Sequence, residues 1–282
     1  MWAGRALGLT IVGSVIYAFI EPHRIALRRY DVPLPNLPAG CEGLRILQLS
    51  DLHISAMTSA RFLRRVVRIA NAEKPDVVAL TGDFVSRRNS YLRPSGARTW
   101  ARPILEYATQ MAAELTHLQA PEGVFAVPGN HDRADGSFAA IEALLREAGV
   151  ASLVNQSTLL RGVLPLIGLD DVRAGRIDWA TAFRGIAVEH PQIVLSHNPR
   201  VVAMLGGRNC LIMAGHTHAG QVHLPATNFR RRPGDMHGSP WFQGWYHEGR
   251  AQLYVNSGIG SVHFPIRFRC QPEIAIFTLQ KG

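Results

Sequence analysis

The sequence is poor in cysteine and in lysine. The first shortage bears on the kind of scaffold, and the second on the source of the positive charge. The three cysteines, Cys41, Cys210 and Cys270, lie far apart and form no CxxC pair, which argues against a disulfide framework and against a zinc ribbon. Lys74 and Lys281 are the only lysines, so arginine supplies nearly all of the net charge of +9. Excess positive charge favours an anionic partner, such as a membrane surface, a phosphorylated substrate or a nucleic acid.

The apolar run near the N-terminus is short for a membrane span. Ala6–Ile20 has 15 residues without charge, whereas a helix needs about 20 residues to cross the hydrocarbon core. Three arginines follow the run within residues 24–29 and one precedes it, which weakly places the rest of the chain on the cytoplasmic side. We expect residues 1–22 to be an uncleaved anchor in the inner membrane. A cleaved signal and a buried N-terminal helix are the alternatives.

The remainder of the chain has the composition of a folded domain. The sequence is 47% hydrophobic and 18% charged, which is ordinary for a protein with a packed core and argues against disorder. The Pro-rich piece Val32–Pro38 predicts a stiff connector within residues 23–43. We therefore expect one large α/β domain over residues 44–282.

From residue 44 onward, short apolar runs alternate with helical patterns. Helices are predicted over Ser59–Ala72 and over residues 100–118, and near-continuous apolar strands separated by helices indicate a largely buried sheet with helices on both faces. Ligands of such sheets bind at the carboxyl ends of the strands. The five strands predicted before a polar ending are Arg45–Ser50, Asp76–Thr81, Gly123–Pro128, Gln192–Ser196 and Leu211–Ala214.

Each of these strands ends in side chains that can bind a metal ion. The mixture of carboxylate, amide and imidazole suits Mn²⁺, Fe²⁺, Zn²⁺ or Mg²⁺, and the lack of cysteine argues against a thiolate site. Seven ligands are too many for one tetrahedral ion, but they suit two ions that share a bridge. The seven candidate ligands are Asp51, His53, Asp83, Asn130, His197, His216 and His218.

The five polar endings resemble, in order, the motifs of the calcineurin-like metallophosphoesterase superfamily. They are Asp51-x-His53, Gly82-Asp83, Gly129-Asn130-His131-Asp132, His197 and Gly215-His216-x-His218. The extended last motif, residues 215–225, together with the N-terminal apolar segment, is similar to the membrane-associated bacterial branch described as YaeI- or YkuE-like. The resemblance implies a four-layer α/β/β/α sandwich with a mixed, largely buried β-sheet and a dinuclear metal site at the C-terminal ends of the strands.

The resemblance also implies a role for each residue. One ion would be held by Asp51, His53 and His218. A second ion would be held by Asn130, His197 and His216, with Asp83 bridging the two and His131 acting as the outer-sphere acid that stabilises or protonates the leaving oxygen. The implied activity is metal-dependent hydrolysis of a phosphoric ester.

One departure from the family pattern concerns the second motif. Protein phosphatases of the superfamily continue this motif with an aspartate that supports the catalytic histidine, but here Gly82-Asp83-Phe84-Val85 is followed by Ser86. The carboxylate partner of His131 is therefore not identified by the motif, although Asp132 is adjacent. A serine/threonine phosphatase is a weaker interpretation for the same reason.

The substrate is predicted only by class. The branch suggests a phosphodiester or pyrophosphate at the membrane, with UDP-2,3-diacylglucosamine of lipid A biosynthesis as the specific candidate. A phosphodiesterase or nuclease acting on soluble nucleotides or nucleic acid is one alternative. A catalytically idle metal-binding envelope protein is the other, although the presence of His131 beside the ligands argues against it.

Several basic or aromatic clusters have both a functional and a structural interpretation. The arginines of the first predicted helix share one face, which is either solvated or contacts anionic lipid. The arginines after Asp83 either hold substrate phosphate or are solvated, and the aromatic residues near Arg230–Arg232 suit a lid or a membrane contact better than nucleic acid. The clusters are Arg61, Arg64, Arg65 and Arg68; Arg87, Arg88, Arg93, Arg98 and Arg102; and Trp241, Phe242, Trp245 and Tyr246.

Overall fold

The structure is a computed structural model that describes residues 12–86, 104–133, 136–223 and 240–282. These residues form two six-stranded sheets with helices outside them. The strands are β1 (Ala26–Leu34), β2 (Arg45–Leu49), β3 (Val77–Leu80), β4 (Gly123–Ala126), β5 (Val150–Ser152), β6 (Gln156–Leu160), β7 (Leu164–Gly168), β8 (Gln192–Leu195), β9 (Cys210–Ala214), β10 (Gly244–Glu248), β11 (Ala251–Val255) and β12 (Glu273–Lys281).

Both sheets are mixed. The first has the order β1-β12-β2-β3-β4-β5, in which β12 runs antiparallel to β2 and the other neighbours are parallel. The second has the order β10-β11-β9-β8-β7-β6, in which the two outermost pairs are antiparallel and the central strands are parallel. Since the central strands of both sheets are parallel, their carboxyl ends gather at one edge of each sheet.

Seven α-helices accompany the sheets within the described residues. Ser59 caps the second of them, because its hydroxyl accepts a hydrogen bond from the backbone N–H of Phe62. The helices are α1 (residues 12–20), α2 (Ala60–Ala72), α3 (Ile104–Leu115), α4 (Asn130–Arg133), α5 (Phe138–Glu147), α6 (Trp179–Ala182) and α7 (Val202–Leu205).

Three hydrophobic clusters define the layers. One joins α2, α3 and α5 to the outer face of the first sheet and includes Leu63, Met111 and Ile141. A second lies between the sheets, where Ile46 of β2 and Leu211 of β9 belong to the same cluster. The third joins α6 and α7 to the outer face of the second sheet. The predicted four-layer α/β/β/α architecture is therefore confirmed.

The division of the strands between two sheets could not be read from their hydrophobic pattern. The first three predicted strands, now β2, β3 and β4, lie in the first sheet, and the last two, now β8 and β9, lie in the second. All five are apolar runs with similar patterns because both sheets are covered on two faces. A single sheet with helices on both faces, the expectation from strand pattern alone, is thus replaced by two sheets packed against each other.

The predicted connector contains a strand. Residues 26–34 form β1, which pairs in parallel with β12 from Ala26 opposite Glu273 to Leu34 opposite Lys281. Pro33 is tolerated there because β1 is an edge strand, where a residue without an N–H group disrupts no central ladder. The chain therefore enters the first sheet before residue 44, and the domain limits proposed above stay a prediction.

The N-terminal helix is too short in its described part to be a membrane span. Among the residues that the structure describes, no helix is long and apolar enough to cross a bilayer. Residues 1–11 of the predicted anchor lie outside the described ranges. The same holds for residues 100–103 of the helix predicted over residues 100–118, whose described part is α3.

Candidate metal centre

The ligand-bearing loops of the two sheets meet at one edge. Gln48, which is fully buried on β2, donates from Nε2 to Thr81 Oγ1 and to the carbonyl of Ala214 at the end of β9, both at 2.9 Å. His197 Nδ1 hydrogen-bonds to the carbonyl of Thr81, which follows β3, at 2.8 Å. These bonds tie the carboxyl ends of strands in different sheets together and bring their loops into contact.

The first ligand group combines the loop after β2 with the loop after β9. Its members are Asp51, His53 and His218, and all three are buried. His218 Nε2 lies 3.3 Å from Asp51 Oδ1 and 2.9 Å from His53 Nε2. A carboxylate oxygen and two imidazole nitrogens in such close proximity form a donor set that suits a divalent ion.

The second group combines the loops after β3, β8 and β9. It contains Asp83, His197 and His216, of which His216 alone is only partly buried. His197 Nε2 lies 3.2 Å from Asp83 Oδ2 and 3.1 Å from His216 Nδ1. His53 Nε2 of the first group lies 3.5 Å from the same Asp83 oxygen. Asp83 Oδ2 thus lies between the two groups, as a bridging ligand must.

Asn130 is placed as a further donor. It is the first residue of α4, directly after the loop that follows β4. Its Oδ1 atom is buried, and within the described parts of the chain it has no hydrogen-bond partner. A buried amide oxygen without a partner costs free energy unless something binds it, and a divalent cation would satisfy this requirement.

Neighbouring residues fix the orientation of the imidazole rings. Ser86 Oγ contacts Nδ1 of His53, and the Thr81 carbonyl accepts from Nδ1 of His197. In each ring the opposite nitrogen, Nε2, therefore faces the ligand group. Hydrogen bonds of this kind set the tautomer of a metal-binding histidine.

Burial and charge set the protonation of the ligands. Burial alone would raise the pKa of Asp51, but His218 and His53 outweigh it and the pKa lies well below its usual value. Asp83 behaves in the same way because His197 and His131 oppose the effect of burial. Burial would lower the pKa of His197, but the Asp83 carboxylate raises it well above the usual value. The carboxylates are thus ionised, and an ion binding beside them would compete with the proton of His197.

Burial favours the neutral form of the two histidines that follow β9. Burial and the charge of His197 lower the pKa of His216 to about 3. Burial also lowers the pKa of His218 well below its usual value, although Asp51 opposes this shift. Neutral imidazole is the form that binds metal.

The backbone of the site is unusual. Asp51, His53, Asp83, His216 and His218 all have φ between 45° and 74°, a left-handed region that side chains with a Cβ rarely adopt. Such conformations cluster at functional sites, where the surrounding structure enforces them.

Two motif glycines are required by close packing. A Cβ on Gly215 would collide with Ser50 Oγ and with the carboxylate of Asp51, and a Cβ on Gly129 would collide with the carboxylate of Asp83. Both glycines therefore allow the backbone to approach a ligand carboxylate.

His131 and Asp132 have different partners. The backbone N–H of His131 donates to Asp83 Oδ1 at 2.8 Å, and its ring lies 5.1 Å from that of His53 between centroids. The buried Asp132 carboxylate instead accepts backbone N–H groups from Asp83, Phe84 and Gly129. Burial and the nearby Asp83 raise the pKa of Asp132 to about 7. Asp132 therefore holds the second and third motif loops together, with its carboxylate on their backbone amides.

The structure thus brings the seven predicted ligands and His131 to one edge of the fold, while their individual roles stay predictions. Sequence reasoning missed three residues around them. Ser86, noted only as a departure, contacts a ligand, and Arg267 lies 3.5 Å from Nδ1 of His218. Asp171 follows β7 as other acidic residues follow their strands, so the same pattern could have found it.

Parts of the basic and aromatic clusters are engaged in contacts within the fold. In α2, Arg64 forms a two-point ion pair with Glu114 and Arg65 donates to the carbonyl of His23, so this face is partly engaged within the fold. Trp245 packs on Tyr30 and Tyr254 in the core. The arginine clusters at 87–102 and 230–232 lie outside the described residues.

Two adjacent ligand groups with one carboxylate between them define the class of site. Carboxylate and imidazole donors at this spacing fit two divalent ions, and paired ions of this kind catalyse hydrolysis of phosphoric esters. Comparison with known proteins agrees. Residues 44–220 match the calcineurin-like phosphoesterase family, and the chain belongs to that family. It is a metal-dependent phosphoesterase.

Alignments with related proteins cover nearly the whole chain. The uncharacterized metallophosphoesterase YkuE of Bacillus subtilis is 29% identical, and the alignment covers 99% of this chain and 95% of YkuE. The UDP-2,3-diacylglucosamine pyrophosphatase LpxG of Chlamydia muridarum is 27% identical, with 98% and 97% covered. A transmembrane protein with metallophosphoesterase domain from Bos taurus is 27% identical, with 98% of this chain and 62% of that protein covered.

Proposed function

We propose that the protein hydrolyses a pyrophosphate or phosphodiester bond of a lipid-linked substrate at the surface of the inner membrane. A UDP-2,3-diacylglucosamine-type precursor of lipid A is the specific candidate, in line with the name of the LpxG relative. The observation that carries this proposal is an exposed apolar face on α1, whose C-terminal end is hydrogen-bonded to residues 267–270, a segment that in turn contacts His218 of the first ligand group.

The apolar face consists of five residues spaced along one side of the helix. Their spacing of three and four residues puts them on a single stripe, and each is between 50% and 56% exposed. Exposed apolar patches of this kind mark membrane or protein contacts. The stripe residues are Val12, Val15, Ile16, Phe19 and Ile20.

Hydrogen bonds connect this stripe to the first ligand group. The backbone N–H of Arg267 donates to the carbonyl of Ala18 at 2.9 Å, and the buried Glu21 carboxylate accepts from the N–H groups of Arg269 and Cys270. Cys270 Sγ in turn donates to the carbonyl of His218 at 3.2 Å. The apolar stripe therefore has a fixed relation to a metal ligand, which supports a substrate that reaches the site from a lipid surface.

Positive charge lies beside the stripe. Arg24 and Arg28 are exposed just after α1, and the whole chain carries a net charge of +9. Each such arginine near an anionic lipid surface adds about 1 kcal/mol of binding. This charge supports placing the domain on the cytoplasmic side, and the name of the transmembrane relative is consistent with a membrane location.

The geometry supports the following catalytic roles. Asp51, His53 and His218 would hold one ion, Asn130, His197 and His216 the other, and Asp83 both. Bound divalent ions lower the pKa of water and neutralise phosphoryl charge. His131 would donate a proton to the leaving oxygen. Asp83 would raise its pKa, but burial and His53 lower it, and the negative charge of a bound phosphate raises it again.

The test uses the full chain loaded with Mn²⁺ and a panel of substrates. We expect hydrolysis of UDP-2,3-diacylglucosamine and of bis(p-nitrophenyl) phosphate, both abolished by a chelator, with little activity on DNA, RNA or p-nitrophenyl phosphate. Preferential cleavage of nucleic acid would identify a nuclease instead. Absence of all hydrolysis by the metal-loaded protein would favour a catalytically idle metal-binding protein.

The membrane part of the proposal has its own control. Val15→Asp with Ile16→Asp should abolish co-sedimentation with vesicles of anionic phospholipid and lower hydrolysis of the acylated substrate, while leaving bis(p-nitrophenyl) phosphate hydrolysis unchanged. Met204→Asp is the matched control, because Met204 is 52% exposed on α7 at the opposite layer of the fold. Equal vesicle binding by both variants would contradict a role for the stripe.

A further inference from the structure

A loop that no family motif includes lies against the second ligand group. It follows β7, the strand next to β8, and the N–H of Leu169 continues their ladder by donating to the carbonyl of Leu195 at 3.0 Å. The loop therefore emerges at the same edge as His197. Arg173, exposed in this loop, places Nη1 3.5 Å from Nε2 of His216.

The loop is built to hold a fixed shape. The buried Asp171 accepts with Oδ1 from the backbone N–H groups of Arg173 and Ala174, at 2.9 and 2.7 Å. Asp170 accepts from the N–H of Arg176 at 3.0 Å and from Nε of Arg133 at 2.8 Å. Arg133 ends α4, so the loop is tied to the helix that begins with Asn130. The backbone that carries Arg173 is thus preset.

The contact between Arg173 and His216 has a chemical consequence. Nδ1 of His216 faces Nε2 of His197 and so belongs to the ligand group. When Nδ1 binds a cation, the proton of the neutral ring is on Nε2. The ring N–H and the guanidinium are then both donors. Two donors that face each other cannot bond to each other. An anion whose oxygen accepts hydrogen bonds from both the His216 ring N–H and the Arg173 guanidinium would satisfy both groups.

We propose that Arg173 binds a non-bridging oxygen of the substrate phosphate that neighbours the phosphate under attack. This inference rests on the proposed function and makes it specific for pyrophosphate. The guanidinium of Arg173 contacts Nε2 of His216, whereas Nδ1 of the same ring faces the ligand group. The width of the imidazole ring therefore separates the guanidinium from the ligand group. That position suits the second phosphate of a pyrophosphate, which a simple aryl diester lacks. Guanidinium groups bind phosphate oxygens with paired, charge-assisted hydrogen bonds.

The test compares Arg173→Ala with a charge-matched control. Arg184→Ala removes the same charge from an exposed residue beside Val163 and His190, which precede β7 and β8 and so lie at the opposite edge of the sheet. For Arg173→Ala we expect kcat/KM on a UDP-sugar pyrophosphate to fall about 10- to 100-fold, mainly through KM. Hydrolysis of bis(p-nitrophenyl) phosphate should change less than about threefold, and Arg173→Lys should recover part of the loss. Arg184→Ala should resemble the parent protein.

A binding measurement gives a second readout. Calorimetric titration of the metal-loaded proteins with inorganic pyrophosphate should show about tenfold weaker binding for Arg173→Ala, with two ions per chain in each variant. Equal losses on both substrates, or unchanged pyrophosphate affinity, would overturn the role of Arg173. A parent protein that cleaves neither the aryl diester nor a pyrophosphate would instead refute the proposed function, and the titration would still report on Arg173.

Discussion

The two ligand groups differ in how far the protein encloses them. Asp51, His53 and His218 are all buried, and Arg267, which is 0% exposed, closes the group from behind. Its guanidinium donates to the carbonyls of Ser257, Gly258, Gly260 and Cys270. In the second group, His216 is only partly buried and faces an exposed arginine.

Two sets of similar donor atoms can therefore differ in how accessible a bound ion would be to solvent and substrate. The buried first group would hold an ion away from solvent and so favour tight binding. The second group would hold an ion nearer to solvent, beside the exposed Arg173. Asp83 connects the two because its carboxylate is close to His53 on one side and His197 on the other.

Removing the shared carboxylate should have the most severe consequence. Asp83→Ala should lose both ions and lower kcat by more than about 10²- to 10³-fold, the scale of losing one electrostatic group from a catalytic site. His131→Gln should lower kcat by a similar factor but keep two ions per chain. Metal content by mass spectrometry and steady-state kinetics separate the two cases. Asp31→Asn, at an exposed position of β1, is the control; full activity in Asp83→Ala would refute the assignment.

Metal removal should proceed in two steps. Dialysis against a weak chelator should take the ion of the second group first and abolish hydrolysis, while the thermal unfolding temperature changes little. A stronger chelator should then remove the first ion and lower the unfolding temperature, because that ion binds only the folded chain. Loss of both ions in a single step, with activity and stability falling together, would show that the groups do not differ as their burial indicates.

The smallest effect is expected from a residue behind the first group. Ser86→Ala removes the contact to Nδ1 of His53, and second-sphere changes of this kind cost about 10-fold in metal affinity or activity. Ser55→Ala is a matched control, since Ser55 is also a buried serine whose hydroxyl instead accepts from the N–H groups of Met57 and Thr58. Wild-type affinity in Ser86→Ala would mean that the His53 ring is oriented by other contacts.

The sequence was most informative where chemistry and strand ends coincide. Five ligand-bearing loops were predicted because apolar strands such as Leu211–Ala214 stop at polar residues. The hydrophobic pattern could not predict which strands belong to which sheet, because a strand buried on both faces has the same pattern in either sheet. Arg267 was also missed, because an isolated arginine near the C-terminus carries no local pattern; its contacts arise only when the chain from residues 257–270 folds around it.

The left-handed backbone at five ligand residues affects the abundance of the folded protein in the cell. Each such conformation costs on the order of 1 kcal/mol, against a total stability of about 5–15 kcal/mol for an ordinary domain. Ions that bind only the folded chain offset this cost in proportion to their free concentration. The abundance of the folded protein should therefore follow the metal supply, so that a cell short of metal loses the protein as well as its activity.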